Sequence, residues 1–174
     1  MLRLSEAHVR PALPADAPAL AAIYNQGIED RTATFETRPR DEVDVLAWMY
    51  GAHPVVVAEA AGQVRAFASC STYRARECYA GIAEVSVYVA REARGAGLGR
   101  LVLEELLRRA EASGSWKLVG RVFVENAASR RLLRALGFRE VGVYRRHARL
   151  DGRWRDVVIV ERLLGEALLG PASG

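Results

Sequence analysis

A glycine-rich turn is the part of this chain best suited to hold an anionic ligand. Gly95, Gly97 and Gly99 stand at alternate positions between Arg94 and Arg100. An apolar stretch typical of a strand precedes the turn, and an amphipathic helical pattern follows it. The free backbone amides of a helix's first turn, together with the helix dipole, favour an anion at such a place. The sequence therefore predicts a phosphate-binding turn here.

Two common nucleotide-binding motifs do not fit this turn. The dinucleotide fingerprint requires Gly-x-Gly-x-x-Gly, but here Arg100 occupies the place of the last glycine. A Walker loop requires Lys and then Ser or Thr after its last glycine, whereas Gly99 is followed by Arg100 and Leu101. The motif that remains is Arg94-x-x-Gly97-x-Gly99. A glycine-rich helix start that holds no ligand is the alternative.

The elements that must position the turn follow from the hydrophobic periodicity and the turn residues. Strands are predicted at residues 8–10, 55–59, 64–73, 82–90, 118–124, 139–147 and 154–162. Helices are predicted at residues 16–28, 41–50, 97–113 and 126–136, with Asp16 capping the first. We therefore expect an α/β fold of the α+β type in a single domain. Its mixed, mostly antiparallel central sheet should have about seven strands, flanked by about four helices.

Composition limits the classes of function. The 174 residues are 51% apolar and 26% charged, which is ordinary for one globular domain. Neither a membrane-spanning run nor a signal-peptide pattern is present, so we expect a cytoplasmic protein without a membrane partner. Cys70 and Cys78 lack metal-site spacing, so we expect no metal and no disulfide. The net charge of +4 comes from arginines spread among acids, which favours a small polyanion over nucleic acid.

A second motif lies one helix and one strand downstream of the glycine turn. Asn126 follows the apolar segment 122–124 at a helix start, and the helix ends in Leu136-Gly137-Phe138. Together the two motifs resemble the acyl-CoA-binding signatures of the GCN5-related N-acetyltransferases (GNAT). Asn126 can also act simply as the N-cap of its helix.

The resemblance covers nearly the whole chain. It is closest to the branch that contains the phosphinothricin and the methionine sulfone or sulfoximine acetyltransferases. The matching segments are residues 23–29, 34–37, 83–89 and 154–157. This resemblance implies a GNAT domain at residues 1–164, followed by a flexible C-terminal tail at 165–174. It also implies a homodimer.

The family binds acetyl-CoA and transfers the acetyl group by direct attack of an amine, without a covalent enzyme intermediate. The resemblance implies that the backbone of one strand and the two motifs hold the coenzyme. The residues implied are Val87, Val89, Arg94, Gly95, Gly97, Gly99, Arg100, Asn126 and Ser129. For Ser129 a solvated place on the helix surface is the alternative.

Glu84 is the residue that the resemblance implies as catalytic base. Strand alternation places Glu84, Ser86 and Tyr88 on one face and the valines between them on the other. A carboxylate beside the thioester could take the proton of the attacking amine. The alternative role for Glu84 is an ion pair with Arg74 or Arg76.

The resemblance implies an acceptor that carries an oxyanion. Arg74, Arg76 and Tyr79 occupy positions that the branch uses to bind a carboxylate or phosphinate, and arginine suits this because its planar fork binds oxyanions bidentately. Phe35 would form an apolar wall of the pocket. The alternatives are a solvated basic loop and ordinary packing of Phe35.

Two positions depart from the branch. Leu133 stands where many members have Tyr or His, so a side-chain acid for the departing thiolate is missing there. Asp151 is the nearest match to a histidine of the closing hairpin that has been assigned a catalytic role, and His147 lies close by without aligning. These departures bear on phosphinothricin activity more than on acetyl transfer itself.

The sequence thus predicts an acetyl-CoA-dependent N-acetyltransferase of a small amino-acid-like acceptor. A family member that acetylates a protein N-terminus or a polyamine is one alternative, although Arg74 and Arg76 would repel a polycation. A non-catalytic acyl-CoA sensor is the alternative from another class, and Glu84 argues against it.

Overall fold

A seven-stranded sheet forms the centre of the computed structural model, which describes residues 6–170. The strands are β1 (His8–Pro11), β2 (Val55–Ala60), β3 (Gln63–Thr72), β4 (Ile82–Val89), β5 (Lys117–Phe123), β6 (Arg139–Leu150) and β7 (Arg153–Leu163). The α-helices are α1 (Ala17–Asp30), α2 (Glu42–Met49), α3 (Leu98–Ala112) and α4 (Ala127–Ala135). In the segment predicted as a tail, a 3₁₀ helix spans Gly165–Leu169, and residues 171–174 lie outside the described residues.

The strand order is β1-β2-β3-β4-β5-β7-β6, and every neighbouring pair is antiparallel except β4 with β5. That single parallel pair follows from α3, because a parallel connection needs a crossover and a helix supplies it. The predicted fold class is confirmed in its mixed, mostly antiparallel sheet of seven strands and its four α-helices. No α-helix of the described residues is long and apolar enough to cross a membrane.

The parallel pair opens into a fork. β4 and β5 pair over three positions, the last of which joins Glu84 to Val119. On its other edge β4 stays paired with β3 as far as Val89. β5 is held by β7 as far as Phe123. Beyond Glu84, therefore, no strand of the described part of the chain pairs with the edge of β4 that faces β5.

The two faces of β4 pack against different helices, as the alternation of side chains along the strand predicts. Tyr88 packs beneath α1, where its ring centroid is 4.9 Å from that of Tyr24. The valines point to the opposite face, towards α3. A Cβ placed on Gly99 would lie only 3.3 Å from Val89 Cγ2, so glycine allows the start of α3 to approach the sheet closely.

Asp16 ties β1 to the start of α1 in a way that the sequence did not predict. Its carboxylate does not cap α1; it accepts hydrogen bonds from Arg10 at 2.7 and 3.0 Å and from the Leu13 amide at 2.7 Å. The residue is 8% exposed. The hydrogen bonds from Arg10 hold the pKa of the Asp16 carboxyl below its ordinary value, although burial acts in the opposite direction.

We expect Asp16→Asn to lower the free energy of unfolding by about 2 kcal/mol at pH 7, because it removes the two-point contact with the half-buried Arg10 and leaves Glu59 as its remaining charged partner. The depressed pKa gives a stabilisation that is fully present above the unfolded carboxyl pKa of roughly 4 and is lost as the pH falls through the folded value. Denaturant unfolding from pH 7 to pH 3 measures both effects. The matched control is Asp151→Asn, whose pair with Arg31 is exposed and should change stability by less than about 1 kcal/mol. Equal losses in the two variants would contradict the assignment.

Candidate functional site

A cavity of about 750 Å³, here called the large cavity, lies beside the fork on the α1 face of the sheet. Its base is aromatic: the Tyr24 ring lies 5.1 Å from Trp48 and 4.9 Å from Tyr88, measured between centroids. Burial raises the pKa of the Tyr88 hydroxyl, so this group is neutral at physiological pH. Gly27 makes the arrangement possible, because a Cβ there would lie 2.9 Å from the Tyr88 ring. The base of the large cavity is therefore apolar and closely packed.

Phe35 lies in the wall of the large cavity. Its ring meets Phe123 edge-on, with 4.8 Å between centroids, and lies 6.5 Å from the ring of His147. Edge-to-face packing of this kind fixes the ring orientation. The loop before α2 and the end of β5 thus close one side of the large cavity.

Glu84 lies in the lining of the large cavity at the mouth of the fork. Its Oε2 is 2.6 Å from Nη2 of Arg121, which also lines the large cavity from β5. The sequence had considered Arg74 or Arg76 as ion-pair partners of Glu84, and the structure assigns the pair to Arg121 instead. Two strands that are adjacent at Glu84 and then separate bring these charges together, which no local sequence pattern indicates.

The predicted oxyanion-binding residues lie elsewhere. Arg74, Arg76 and Tyr79 occupy the segment between β3 and β4, and none of them lines the large cavity. Tyr79 packs edge-on against Tyr73 with 5.8 Å between centroids, and the Arg74 guanidinium lies 5.3 Å from the Tyr73 ring centre. Both arginines are exposed. The structure does not bring these residues together with Glu84.

His147 reaches the large cavity because β6 is irregular. The pairing register with β7 shifts between Tyr144 and Ala148, so three residues of β6 stand opposite Asp156. The Asp156 carboxylate accepts a 2.7 Å hydrogen bond from the Arg146 amide, and Arg146 has a φ of 50°. This bulge places His147 in the lining. The sequence had noted His147 only as a neighbour of Asp151, because strand periodicity does not reveal a bulge of this kind.

A second cavity of about 60 Å³, here called the small cavity, lies in the fork between β4 and β5. The β4 segment 85–88 lines it together with Asn126, Ser129 and Leu133, and Arg121 lines both cavities. Asn126 is the N-cap of α4, because its Oδ1 accepts a 3.1 Å hydrogen bond from the Ser129 amide. The predicted capping role of Asn126 is thus confirmed. Its side-chain amide also donates to the Thr32 carbonyl at 3.0 Å, which fixes the loop after α1 beside the small cavity.

The glycine turn presents backbone rather than free arginine side chains. Gly95 and Gly97 have φ values of 78° and 85°, a left-handed conformation that glycine adopts without strain. Arg94 forms a 2.6 Å ion pair with Asp30, and Arg100 forms a 2.8 Å ion pair with Glu104. The turn leads into α3, whose first amides have no acceptor within the helix. An anion at this turn would therefore meet amides first, with the arginines at its sides.

The described residues contain no cluster of three or more His, Cys, Asp or Glu side chains that could hold a metal ion. The site therefore consists of a carboxylate–guanidinium pair at the junction of two cavities, an open strand edge and a glycine turn. This arrangement can bind a polar organic molecule in the large cavity, can hydrogen-bond an extended ligand along the open strand edge, and can take a proton at Glu84.

The comparisons with known proteins agree on one family. Residues 20–138 match the acetyltransferase (GNAT) family. The L-methionine sulfoximine/L-methionine sulfone acetyltransferase of Pseudomonas paraeruginosa is 37% identical over 160 residues, which are 89% of this chain and 93% of that protein. The crystal structure of a ribosomal-protein-alanine N-acetyltransferase from Brucella melitensis gives a TM-score of 0.87 at 37% identity and covers 90% of this chain and 99% of that one. A phosphinothricin acetyltransferase from Sinorhizobium meliloti, solved in complex with acetyl-CoA, gives a TM-score of 0.86 at 32% identity and covers 92% of this chain and 90% of that one.

We expect the two cysteines to differ sharply in reactivity. Cys70 lines the large cavity but is 6% exposed, and burial raises the pKa of its thiol to about 12. The thiolate is the reactive form, so Cys70 should resist iodoacetamide at pH 8, whereas the exposed Cys78 should be alkylated. Peptide mass spectrometry measures both, with the guanidinium-unfolded protein as the positive control. If Cys70 were labelled as fast as Cys78 in the folded protein, the burial of the Cys70 thiol in the cavity wall would be contradicted.

Proposed function

The chain belongs to the GNAT family of acetyltransferases, and from this premise we propose that it transfers the acetyl group of acetyl-CoA to the amino group of a small amino-acid-like acceptor. The observation that carries the proposal is the fork, where Glu84 lies in the lining of the large cavity and contacts Arg121, which lines both cavities. The named relatives support the acceptor class, since methionine sulfone, methionine sulfoximine and phosphinothricin are all amino acids with compact polar side chains.

The coenzyme fits features that are otherwise unexplained. The β4 edge from Val87 to Val89 carries peptide groups that have no strand partner in the described chain, and they can hydrogen-bond the amides of the pantetheine arm. The glycine turn suits the pyrophosphate, because Gly95 and Gly97 expose amides at the start of α3. Asn126 and Ser129 border the same cleft in the small cavity. When bound, acetyl-CoA supplies the activated acetyl thioester.

Glu84 is the proposed base. An acceptor ammonium must lose a proton before its nitrogen can attack a carbonyl carbon. A carboxylate side chain can accept that proton, and Glu84 lies in the lining of the large cavity at the mouth of the fork. The carboxylate is half-buried, so it can act on a bound amine directly or through one water molecule.

We expect Glu84→Gln to lower kcat by about 100-fold or more, because an amide cannot take the proton from the acceptor. The KM for acetyl-CoA should stay within about twofold of the wild type. A thiol-release assay with methionine sulfone, phosphinothricin, common amino acids and polyamines measures both quantities across pH. The rise of kcat/KM with pH should be reduced or lost in the variant.

Gly97→Ala is the comparison variant for the Glu84 experiment. It forces a side chain into a left-handed turn, so it should raise the KM for acetyl-CoA and leave the shape of the pH profile unchanged. An unaltered pH profile in Glu84→Gln would remove Glu84 from the role of base. Tight binding of acetyl-CoA with no turnover of any amine would indicate a sensor instead of an enzyme.

A peptide N-terminus is a second candidate acceptor. The structure from Brucella melitensis, named as a ribosomal-protein-alanine N-acetyltransferase, is the observation that favours it. Such an acceptor carries a peptide bond where a free amino acid carries a carboxylate. A peptide with an N-terminal alanine, added to the acceptors of the thiol-release assay, therefore distinguishes the two acceptor classes.

We also propose that the enzyme works as a homodimer in the cytoplasm. The edge strand β6 and the start of its neighbour β7 expose large apolar side chains that include Val143, 51% exposed, and Trp154, 52% exposed. An edge strand with exposed apolar residues favours pairing with another chain.

Light scattering should give twice the chain mass, and Val143→Lys should shift the protein towards the monomer. The control Val43→Lys, on the exposed side of α2, should not. A wild-type monomer at micromolar concentrations would contradict the proposal.

A further inference from the structure

Arg121 occupies a position that bears on the choice of acceptor. It lies on β5 just beyond the point where β5 leaves β4, and it lines both the large and the small cavity. Its guanidinium contacts the carboxylate of Glu84 at 2.6 Å. Arg121 is therefore the cation in direct contact with the proposed base.

The ion pair between Arg121 and Glu84 is one that a polar ligand can separate. The pair contains a single hydrogen bond, which Nη2 of Arg121 donates to Glu84. By comparison, Arg130 donates two hydrogen bonds to the carboxylate of Glu140, from Nε and from Nη2. The Arg121 side chain is 52% exposed and that of Glu84 is 23% exposed. A solvent-exposed ion pair with a single contact stabilises the fold little, and a polar ligand can replace it at small cost.

An α-amino acid carries its ammonium and its carboxylate on the same carbon atom. A site that recognises both groups needs an anion and a cation side by side, and Glu84 with Arg121 supplies them. When such a ligand enters between them, one ion pair is replaced by two, and every charge keeps a partner. A planar guanidinium also matches the fork of a carboxylate.

We propose that Arg121 binds the α-carboxylate of the acceptor while the acceptor's ammonium replaces the guanidinium at Glu84. This inference rests on the proposed function and narrows its substrate class to free α-amino acids. The other arginine in the large cavity, Arg40, pairs with Glu36 at 2.7 Å and does not contact Glu84. Arg76 lies outside the lining altogether.

The test compares two acceptors that differ only in the carboxylate. L-methionine sulfone carries it, and 3-(methylsulfonyl)propylamine keeps the amine and the side chain without it. Arg121→Ala should lower kcat/KM for the sulfone by about tenfold or more, and for the amine by less than about threefold. Arg121→Lys keeps the charge but loses the planar fork, so it should retain part of the preference for the sulfone.

Controls separate this role from a structural one. The KM for acetyl-CoA should stay unchanged in Arg121→Ala, and circular dichroism should show an intact fold. Arg108→Ala, on the exposed side of α3, should match the wild type with both acceptors. An equal loss with both acceptors in Arg121→Ala would indicate a structural role and overturn the inference. It would also be overturned if Arg40→Ala or Arg76→Ala showed the carboxylate-dependent loss and Arg121→Ala did not.

Calorimetric binding of the two acceptors, measured with CoA present, separates this inference from the proposed function. Tighter binding of the sulfone than of the amine by the wild type, with the preference lost in Arg121→Ala, supports the inference even if no acetyl transfer occurs. Binding of neither compound by the wild type, or a preference that survives in Arg121→Ala, overturns it.

Discussion

The parallel pairing between β4 and β5 ends at Glu84, and this divergence of the two strands determines the geometry of both cavities. Beyond this point the peptide groups on one edge of β4 have no strand partner in the described chain, and such groups are costly to leave unsatisfied where water is excluded. The fork cannot close to satisfy them, because β3 holds the far edge of β4 as far as Val89 and β7 holds β5 as far as Phe123. The sheet itself therefore creates a rigid cleft that a ligand with amide groups can fill.

Strand alternation lets β4 serve two compartments. Glu84, Ser86 and Tyr88 line the large cavity, whereas Val87 and Val89 point towards the start of α3. The same short strand thus presents a carboxylate to the large cavity from one face. From the other face it packs against the start of α3, which follows the glycine turn. Val87 and Val89 pack against the core, and Val87 also lines the small cavity.

The sequence was sufficient for the elements and for the glycine turn before α3, because both depend on local patterns. Hydrophobic periodicity located all seven strands and four helices, and the turn at Gly97 follows from residues that adjoin one another. The acceptor side was not predictable in the same way. Arg121 meets Glu84 only because two strands diverge, and His147 reaches the large cavity only through a bulge in β6. Arg74 and Arg76 were implied by the resemblance, and the structure places them outside the lining of the large cavity, because the path of a loop between two strands does not follow from local patterns.

The lack of a side-chain acid at position 133, where this chain has Leu133, has little consequence for acetyl transfer. Leu133 is 4% exposed and lines the small cavity, so it offers no proton to a departing thiolate. A thiol of ordinary pKa near 8.5 leaves readily as its anion, so a proton donor adds little there. The acceptor ammonium, in contrast, must lose a proton before it can react at all. The proposed transfer therefore requires a well-placed base more than an acid. The charged pair of Glu84 and Arg121 in the lining of the large cavity and the apolar Leu133 in that of the small cavity agree with this requirement.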